Sequence, residues 1–455
     1  MNMRSNRAKL VGLITLCIIA SLLVSPVRAD EEYHVIATLQ SPVPSDVGWF
    51  GSDLVLYEDT LLVIGWNADP GDLKNVGGAY IYDSNWNLVA TLQAPSLMAT
   101  EKFISADMWG DTIAIGSETN VEDIQLAGSV YIFDSEGVLL TTIQSPEPEL
   151  EGHFGWELCL CRDILLVPEI WIIDKGVTNA GVVHVFNSEG DFLRTIRSPS
   201  PTLLGTFGIS IDANDEFILV GELGLSDKPS NDSNVHVYDI DYNLVTTLYS
   251  PDNQDRSFFG NSVTISGDHV VIGERWASVE DYEMAGRAHI YDTGWNLVAT
   301  LQSPTPEDNA EFGFSVAIGG GLVVVGELKW DVETMNEGKA YVFDLEGNLI
   351  DTLVSPEPEV DAMFGWQVVT DGDIILVADV QHSADGFSQA GKVHVFEWGE
   401  PAAEQPAPEE ETTETETESE SESEKGGGIP GFPFESIVIS MVLAVLLLWL
   451  IQRKR

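Results

Sequence analysis

The chain repeats one phenylalanine-led segment at a nearly constant spacing, and this repeat limits the possible folds more than any other feature. Successive copies are separated by 53, 51, 53, 52, 53 and 52 residues. Seven phenylalanines mark them: Phe50, Phe103, Phe154, Phe207, Phe259, Phe312 and Phe364. Regular repeats of this length are typical of propellers and solenoids, in which each unit buries its faces only against its neighbours.

The sixth copy shows the pattern inside one unit. Residues 312–318 and 322–326 are two short runs rich in β-branched residues, and residues 339–343 and 348–353 are two more. Such runs, separated by Gly, Asp, Asn and Pro, are typical of strands. Four antiparallel strands in each of seven units predict an all-β fold, a seven-bladed β-propeller over residues 30–399.

The two ends of the repeat region predict how the propeller closes. The seventh unit runs from Phe364 to Phe396 and lacks a fourth strand. Residues 34–42 closely copy residues 297–304, which form the predicted fourth strand of unit five. We therefore expect an N-terminal strand to complete the seventh blade, which leaves no unpaired junction in the ring.

Three motifs carry a family resemblance. Phe-Gly-x-Ser-Val-x-Ile occurs at residues 259–265 and 312–318, Gly-Asp-x-Val-Val-x-Gly at 267–273, and Ala-Tyr-Val-Phe at 340–343. These motifs resemble FG-GAP repeats of the integrin-α type, which implies a binding or adhesion propeller. The calcium loops of integrins do not carry over, because the turn between the first two strands has only about three residues and cannot supply six to eight oxygens.

The two termini predict display on the outer face of a membrane. Residues 1–29 have the basic start, apolar stretch and small residues of a signal peptide, with a retained N-terminal membrane helix as the alternative. Residues 400–428 form a Glu-, Thr- and Ser-rich tract expected to be a disordered stalk. Residues 429–455 resemble the PGF-CTERM sorting signal of archaeal surface proteins, which implies cleavage by an archaeosortase. A permanent transmembrane helix with a basic cytoplasmic tail is the alternative.

The charge of the chain argues against nucleic acid as a partner. Its formal net charge is −52 at pH 7. Binding to phosphate backbones requires a basic surface that displaces counterions. Cations and cationic surfaces are the natural counterparts of such an acidic protein.

An acidic residue follows the predicted second strand in five of the seven units. These residues, called here the carboxylate set, are Glu169, Glu222, Glu274, Glu327 and Asp379. The repeat is expected to place them around one face near the channel mouth, where mutual repulsion favours a bound cation such as Ca²⁺. The alternative is that each carboxylate accepts hydrogen bonds from the backbone of its own turn.

The loops on the same predicted face carry tryptophans. Trp66, Trp171, Trp276 and Trp330 follow the second strands of their units, among several acidic residues. Exposed aromatic residues suit recognition of a protein or a glycan, so these four are the candidate ligand face. The alternative is that they are wedged between blades.

Histidine and cysteine residues have a structural interpretation. Four third strands carry His where other units carry Tyr, which favours packing of a flat ring over catalysis. The four are His184, His236, His289 and His394. Cys159 and Cys161 lie two apart on one strand, a poor geometry for a disulfide, and are expected to be small packing residues.

No motif of an enzyme is present in the sequence. Nucleophile elbows, His-Glu-x-x-His, Cys-x-x-Cys and phosphate-binding loops are all missing. We therefore predict a non-enzymatic cell-surface recognition or adhesion module that binds an extracellular protein or glycan. A propeller hydrolase or lyase acting on extracellular polysaccharide, and a structural protein of the cell envelope, are the alternatives, because fold alone does not decide function.

Overall fold

The computed structural model describes residues 32–68, 77–95, 101–224, 233–254, 256–328 and 337–399. The predicted signal peptide, stalk and C-terminal segment lie outside these ranges. Within them the secondary structure consists of strands that form seven four-stranded sheets. In the same ranges no helix is long and apolar enough to span a membrane.

The first four blades follow one another along the chain. Blade 1 consists of β2 (Phe50–Tyr57), β3 (Thr60–Gly65), β4 (Gly78–Tyr82) and β5 (Leu88–Leu92). Blade 2 consists of β6 (Lys102–Trp109), β7 (Thr112–Glu118), β8 (Ser129–Asp134) and β9 (Leu139–Gln144). Blade 3 consists of β10 (Cys159–Cys161), β11 (Ile164–Glu169), β12 (Val182–Asn187) and β13 (Phe192–Arg197). Blade 4 consists of β14 (Ile211–Ala213), β15 (Phe217–Glu222), β16 (Asn234–Asp239) and β17 (Leu244–Tyr249).

The last three blades complete the ring. Blade 5 consists of β18 (Phe259–Ser266), β19 (His269–Glu274), β20 (Arg287–Asp292) and β21 (Leu297–Leu301). Blade 6 consists of β22 (Val316–Gly319), β23 (Leu322–Glu327), β24 (Lys339–Asp344) and β25 (Leu349–Leu353). Blade 7 consists of β26 (Phe364–Thr370), β27 (Ile374–Asp379), β28 (Lys392–Gly399) and the N-terminal β1 (Glu32–Gln40).

The first strands of the blades surround a central channel. Each contacts the first strands of the two neighbouring blades, and β26 of blade 7 contacts β2 of blade 1. All neighbouring strands within a blade are antiparallel. The predicted all-β, seven-bladed propeller is therefore confirmed.

The N-terminal strand closes the ring as the sequence predicts. β1 pairs with β28 along its whole length, from Glu32 opposite Gly399 to Gln40 opposite Lys392. A bulge between Val35 and Ala37 interrupts this register. The earliest and latest parts of the propeller thus share one sheet, so separation of the ring at this blade requires the loss of main-chain hydrogen bonds.

The repeated phenylalanines form the contacts between blades. All seven are fully buried. The N–H of Phe312 donates to the carbonyl oxygen of Ala285 in the preceding blade, at 2.9 Å. A Cβ atom on Gly286 would lie only 2.0 Å from the carbonyl oxygen of Phe312, and Gly286 has a φ of +85°. Glycine is therefore required here both for its backbone conformation and for the close approach of the next blade.

The two faces of the ring carry different connections. The upper face carries the loops that lead into the first strands and the loops between second and third strands. The lower face carries the turns between first and second strands and between third and fourth strands. The repeat places the same kind of loop from each blade on the same face, so residues from several loops are brought together there.

Candidate functional site

The carboxylate set lies inside the blades rather than in loops at the channel mouth. Each member is the last residue of a second strand, whereas the sequence placed it one position beyond the strand. All five side chains are at most 3% exposed. Their partners are consequently found within the sheets and at the contacts between blades.

Four of the five carboxylates are hydrogen-bonded to the ring on the third strand of their own blade, and in blade 7 Asp379 Oδ2 lies 3.6 Å from His394 Nε2. In blade 5, Glu274 Oε2 lies 2.8 Å from His289 Nε2, and His289 Nδ1 lies 3.1 Å from Thr300 Oγ1. Blades 3 and 4 repeat these contacts, and in blade 6 the hydroxyl of Tyr341 donates to Glu327 at 3.1 Å. Acid, ring and hydroxyl therefore connect strands two, three and four of the sheet.

A serine from the preceding blade reaches the same carboxylates. Ser198, at the end of the outer strand of blade 3, donates to Glu222 Oε2 of blade 4 at 2.7 Å. Ser145 donates to Glu169 at 2.6 Å, and Ser355 of blade 6 donates to Asp379 of blade 7 at 3.1 Å. Among the described residues, the hydrogen bonds that reach Glu169, Glu222 and Asp379 come from side chains.

These contacts hold the five carboxylates in five separate blades. Among the described residues, no group of three or more His, Cys, Asp and Glu side chains is placed to hold a metal ion. The arrangement gives the calcium hypothesis no support, and calcium binding itself stays an untested prediction. What the carboxylate set does in this structure is bridge strands and neighbouring blades.

The two blades without a member of the set bind their rings differently. Gly65 and Ser117 occupy the equivalent positions of blades 1 and 2, where the third-strand rings are Tyr80 and Tyr131. The hydroxyl of Tyr131 donates instead to Glu101, which precedes blade 2, at 3.2 Å. The polar ring is therefore a constant feature of the blade, although its partner varies.

A second group of acids, which the sequence analysis missed, lines the channel. Asp107 Oδ2 accepts a hydrogen bond from the backbone N–H of Leu160 in the next blade, at 2.6 Å. Asp53 and Asp212 accept the same kind of bond from their neighbours, at 2.7 and 2.8 Å. These half-buried side chains fasten the inner strands of adjacent blades to each other.

The surroundings of the channel acids disfavour their charged forms. Desolvation by the inner strands, with smaller contributions from neighbouring acids, raises the pKa of Asp107 to about 8. Desolvation raises the pKa of Asp53 to about 7 and that of Asp212 to about 6. Desolvation, followed by the charges of these three aspartates, raises the pKa of Glu157 well above its ordinary value. The channel therefore favours the protonated forms of Asp107 and Glu157 near neutral pH.

The cysteine pair lies beside this channel. Cys159 and Cys161 on β10 are free thiols with exposures of 3% and 4%. Burial, then the charges of Asp212 and Asp107, raises the pKa of Cys159 well above its ordinary value. A thiol with a raised pKa is a poor nucleophile and a poor metal ligand, and this suits packing residues.

The three described candidate ligand-face tryptophans, Trp66, Trp171 and Trp276, lie half-buried on the upper face. Each packs against the residue that precedes the repeated phenylalanine of its own blade, with a tilted, a T-shaped and a stacked geometry respectively. The ring-centroid distances are 5.2 Å for Trp66 on Trp49, 4.4 Å for Trp171 on His153 and 4.1 Å for Trp276 on Phe258. Trp330 lies outside the described residues. Further side chains contact these indoles, such as Lys102, whose Nζ lies 4.4 Å from the Trp66 centroid, and the role of the tryptophans as a ligand face stays a prediction.

Additional aromatic residues extend this surface toward the channel. Trp366 contacts Trp49 at 5.6 Å and Phe314 at 4.9 Å. The guanidinium of Arg275 lies over the rings of Phe314 and Trp276, 5.2 and 5.5 Å from their centroids. These contacts form a continuous aromatic band across blades 5, 6, 7 and 1. Its members are Trp66, Trp49, Trp366, Phe314, Arg275 and Trp276.

The aromatic band had a sequence signal that the analysis did not use. The position two residues after the repeated phenylalanine is aromatic in blades 3, 6 and 7, at Trp156, Phe314 and Trp366. Because the repeat superimposes these positions around the channel, an aromatic residue in several copies indicates a shared surface.

Comparison with protein families identifies the repeat in two segments. Residues 242–291 and 295–343 match the family model of the FG-GAP repeat. No curated protein matches the chain in sequence. The FG-GAP resemblance is thus confirmed for these segments, and the resemblance of residues 429–455 to a sorting signal stays a prediction. An FG-GAP propeller is consistent with a module for ligand binding or adhesion.

Proposed function

We propose that this FG-GAP propeller is a cell-surface recognition or adhesion module that binds an extracellular protein or glycan through its upper face. The aromatic band is the observation that carries this proposal. Trp66, Trp276 and Trp366 are half-buried, and contacts with neighbouring rings, including the buried Trp49, hold them in one orientation.

Ordered aromatic side chains are efficient binding residues. A ligand that packs against Trp66 or Trp276 gains apolar contact, and the indole N–H of Trp276, which donates to Glu311 at 3.1 Å, helps to fix that ring. Because the rings are already fixed, little side-chain entropy is lost on binding. Acidic residues surround the band: Glu280, Asp281 and Glu283 lie in the loop beside Trp276 and are exposed. These charges favour ligands with cationic or hydrogen-bond-donating groups.

The location on the cell surface rests on the two ends of the sequence. Residues 1–29 are proposed to direct secretion, and residues 429–455 are proposed to anchor the protein in the membrane, directly or after exchange by an archaeosortase. The acidic tract 400–428 would act as a stalk, because like charges extend a flexible chain. Such a stalk holds a binding domain away from the membrane.

Binding arrays test the upper face directly. The full-length protein is applied to an array of glycans and extracellular proteins, alongside the variants Trp171→Ala and Trp276→Ala. We expect these variants to lose about 2 kcal/mol of binding free energy or more, as for aromatic hot spots. The matched control is Trp109→Ala, since Trp109 is 39% exposed on the lower face.

Three results would overturn the proposal. They are an array without any bound ligand, undiminished binding by both upper-face variants, and an equal loss in Trp109→Ala. Release of soluble oligosaccharides from an arrayed polysaccharide would instead favour the hydrolase or lyase alternative. Mass spectrometry of protein from native membranes tests the anchor separately, because sorting removes the peptide 436–455.

A further inference from the structure

A cavity of about 310 Å³ lies at the outer edge of blade 4. It is bounded by the loop that follows β13 and by strands β16 and β17. Its polar lining, called here the blade-4 pocket, consists of Ser200, Thr202, Asn234, His236, Thr247 and Tyr249. Cavities of this size are at the lower end of the range that holds small molecules.

Two positions beside the cavity differ between blade 4 and blades 5 and 7. In blade 5, Arg287 opens the third strand and forms an ion pair with Asp252, two residues after the serine that ends the preceding outer strand. In blade 7, Lys392 and Glu357 form the equivalent pair. In blade 4 these two positions are Asn234 and Ser200.

Blade 4 therefore has shorter and uncharged side chains at these two positions. Asn234 is much shorter than Arg287, so the volume that a guanidinium fills in blade 5 is open in blade 4. Among the described residues that line the pocket, none is Lys, Arg, Asp or Glu. The position is therefore neutral in blade 4 and charged in blades 5 and 7.

The lining offers hydrogen-bonding groups in fixed positions. His236 is held by Glu222 at 2.8 Å and by Thr247 at 3.0 Å, and Thr202 lies 3.4 Å from Glu222. Hydroxyl, amide and imidazole groups both donate and accept hydrogen bonds. Tyr249, which is 49% exposed, adds a flat apolar surface at the edge of the pocket. This combination suits a ligand with many hydroxyl groups and one apolar ring face.

We propose that the blade-4 pocket binds a neutral saccharide. An anionic sugar is disfavoured, because the pocket offers no described cationic side chain and the protein carries a net charge of −52. The pocket is formed by residues other than those of the aromatic band, so it is a second site and does not depend on the upper-face ligand.

Saturation-transfer NMR with the full-length protein tests this site. The probes are the methyl glycosides of glucose, galactose, mannose and N-acetylglucosamine, with N-acetylneuraminic acid as the anionic comparison. We expect transfer to at least one neutral glycoside and none to the acid. The double variant Asn234→Arg with Ser200→Asp, which introduces the residue types of the blade-5 ion pair, should abolish the signal.

A matched control separates the pocket from general effects. The double variant Arg287→Asn with Asp252→Ser changes the corresponding pair in blade 5 and should leave saccharide binding intact. Trp171→Ala, which weakens the proposed upper-face site, should also leave it intact. Tyr249→Ala, at an exposed position that the fold tolerates, should weaken binding about tenfold, as expected for a lost stacking surface.

Each contrary result would overturn the proposal. They are the lack of transfer to every neutral glycoside, equal transfer to N-acetylneuraminic acid, and an unchanged signal in the folded Asn234→Arg, Ser200→Asp variant. If circular dichroism shows that this double variant is unfolded, Tyr249→Ala decides, and undiminished affinity in that variant would refute the site.

Discussion

Replacing His289 distinguishes two roles of the third-strand ring, namely packing in the core and hydrogen bonding to a buried carboxylate. His289 and Glu274 are both fully buried, 2.8 Å apart at Nε2 and Oε2. The ring also contacts Phe259, with 5.6 Å between centroids. Two variants separate the roles: His289→Ala removes the ring and the hydrogen bonds, and His289→Tyr keeps a ring with a polar tip.

The structure sets the expected size of each effect. In His289→Ala, Glu274 Oε2 loses its partner while Oε1 already has no hydrogen bond within the described structure. A buried carboxylate left unpaired, together with a cavity against Phe259, should lower the free energy of unfolding by about 3–5 kcal/mol. In His289→Tyr the hydroxyl can donate to Glu274 as Tyr341 donates to Glu327. The larger ring should cost about 1–3 kcal/mol, as for added volume in a packed core, which is less than the cost of His289→Ala.

Urea unfolding of the full-length protein, followed by tryptophan fluorescence and circular dichroism, measures both effects. His269→Ala is the control, because His269 is the partly exposed first residue of β19 in the same blade, and its loss should destabilise far less than that of His289. Equal destabilisation by His289→Ala and His289→Tyr would refute the reasoning. It would mean that the carboxylate does not need a hydrogen bond from this strand.

Three further predictions test the closure, the channel and the contact between blades. Deletion of residues 30–42 should lower the melting temperature and expose blade 7 to proteases, which limited proteolysis would detect, because β28 loses its outer partner. The raised pKa of Asp107, about 8 against an ordinary 3.8, means that the folded state keeps a proton that the unfolded chain has lost, so stability should fall as pH rises from about 4 to 8. Asp107→Asn should reduce that slope in urea titrations at several pH values. Gly286→Ala should destabilise strongly because its Cβ would meet Phe312, whereas Gly267→Ala, also at positive φ but with open space around it, should cost far less; thermal melts compare the two.

The architecture was predictable because it is encoded locally and repeated. Each strand has its own β-branched run and its own turn, and the seven phenylalanines fix the period. The closing strand was also recognisable, since residues 34–42 copy an internal strand and β1 indeed pairs with β28. Both inferences compare one part of the sequence with another, so they need no knowledge of how side chains pack.

The carboxylate set was harder to place because one residue of strand length changes the direction of a side chain. Beyond the strand, Glu274 would lie in a loop of the upper face. As the last residue of β19 it pairs with Arg287 and lies on the same side of the sheet as His289, two residues farther along β20. The sequence gives strand ends only to within a few residues, so this choice between loop and interior was open.

The channel acids were missed because their partners belong to other blades. Asp107 bonds the backbone of Leu160, more than fifty residues away, and the bond exists only once the inner strands lie side by side. A comparison of aligned positions gives a partial signal, since Asp107 and Asp212 both lie two residues after Ser105 and Ser210. The rise in their pKa depends on desolvation in the closed ring, which no local pattern encodes.

In a fold built from seven similar blades, the positions that vary between blades can indicate where function has been added. The Arg287–Asp252 pair involves an aspartate that is 51% exposed, and ion pairs with a solvent-exposed partner contribute only about 0–1 kcal/mol to stability. Loss of the corresponding pair in blade 4 is therefore cheap for the fold, unlike loss of the buried link between Glu222 and His236, which blade 4 retains. Changes at Asn234 and Ser200 therefore cost the fold little stability, whereas loss of the neighbouring Glu222–His236 link would cost much more. In the blade-4 pocket, the Glu222–His236 hydrogen bond fixes one side of the lining, and short uncharged side chains stand where blade 5 has the Arg287–Asp252 pair.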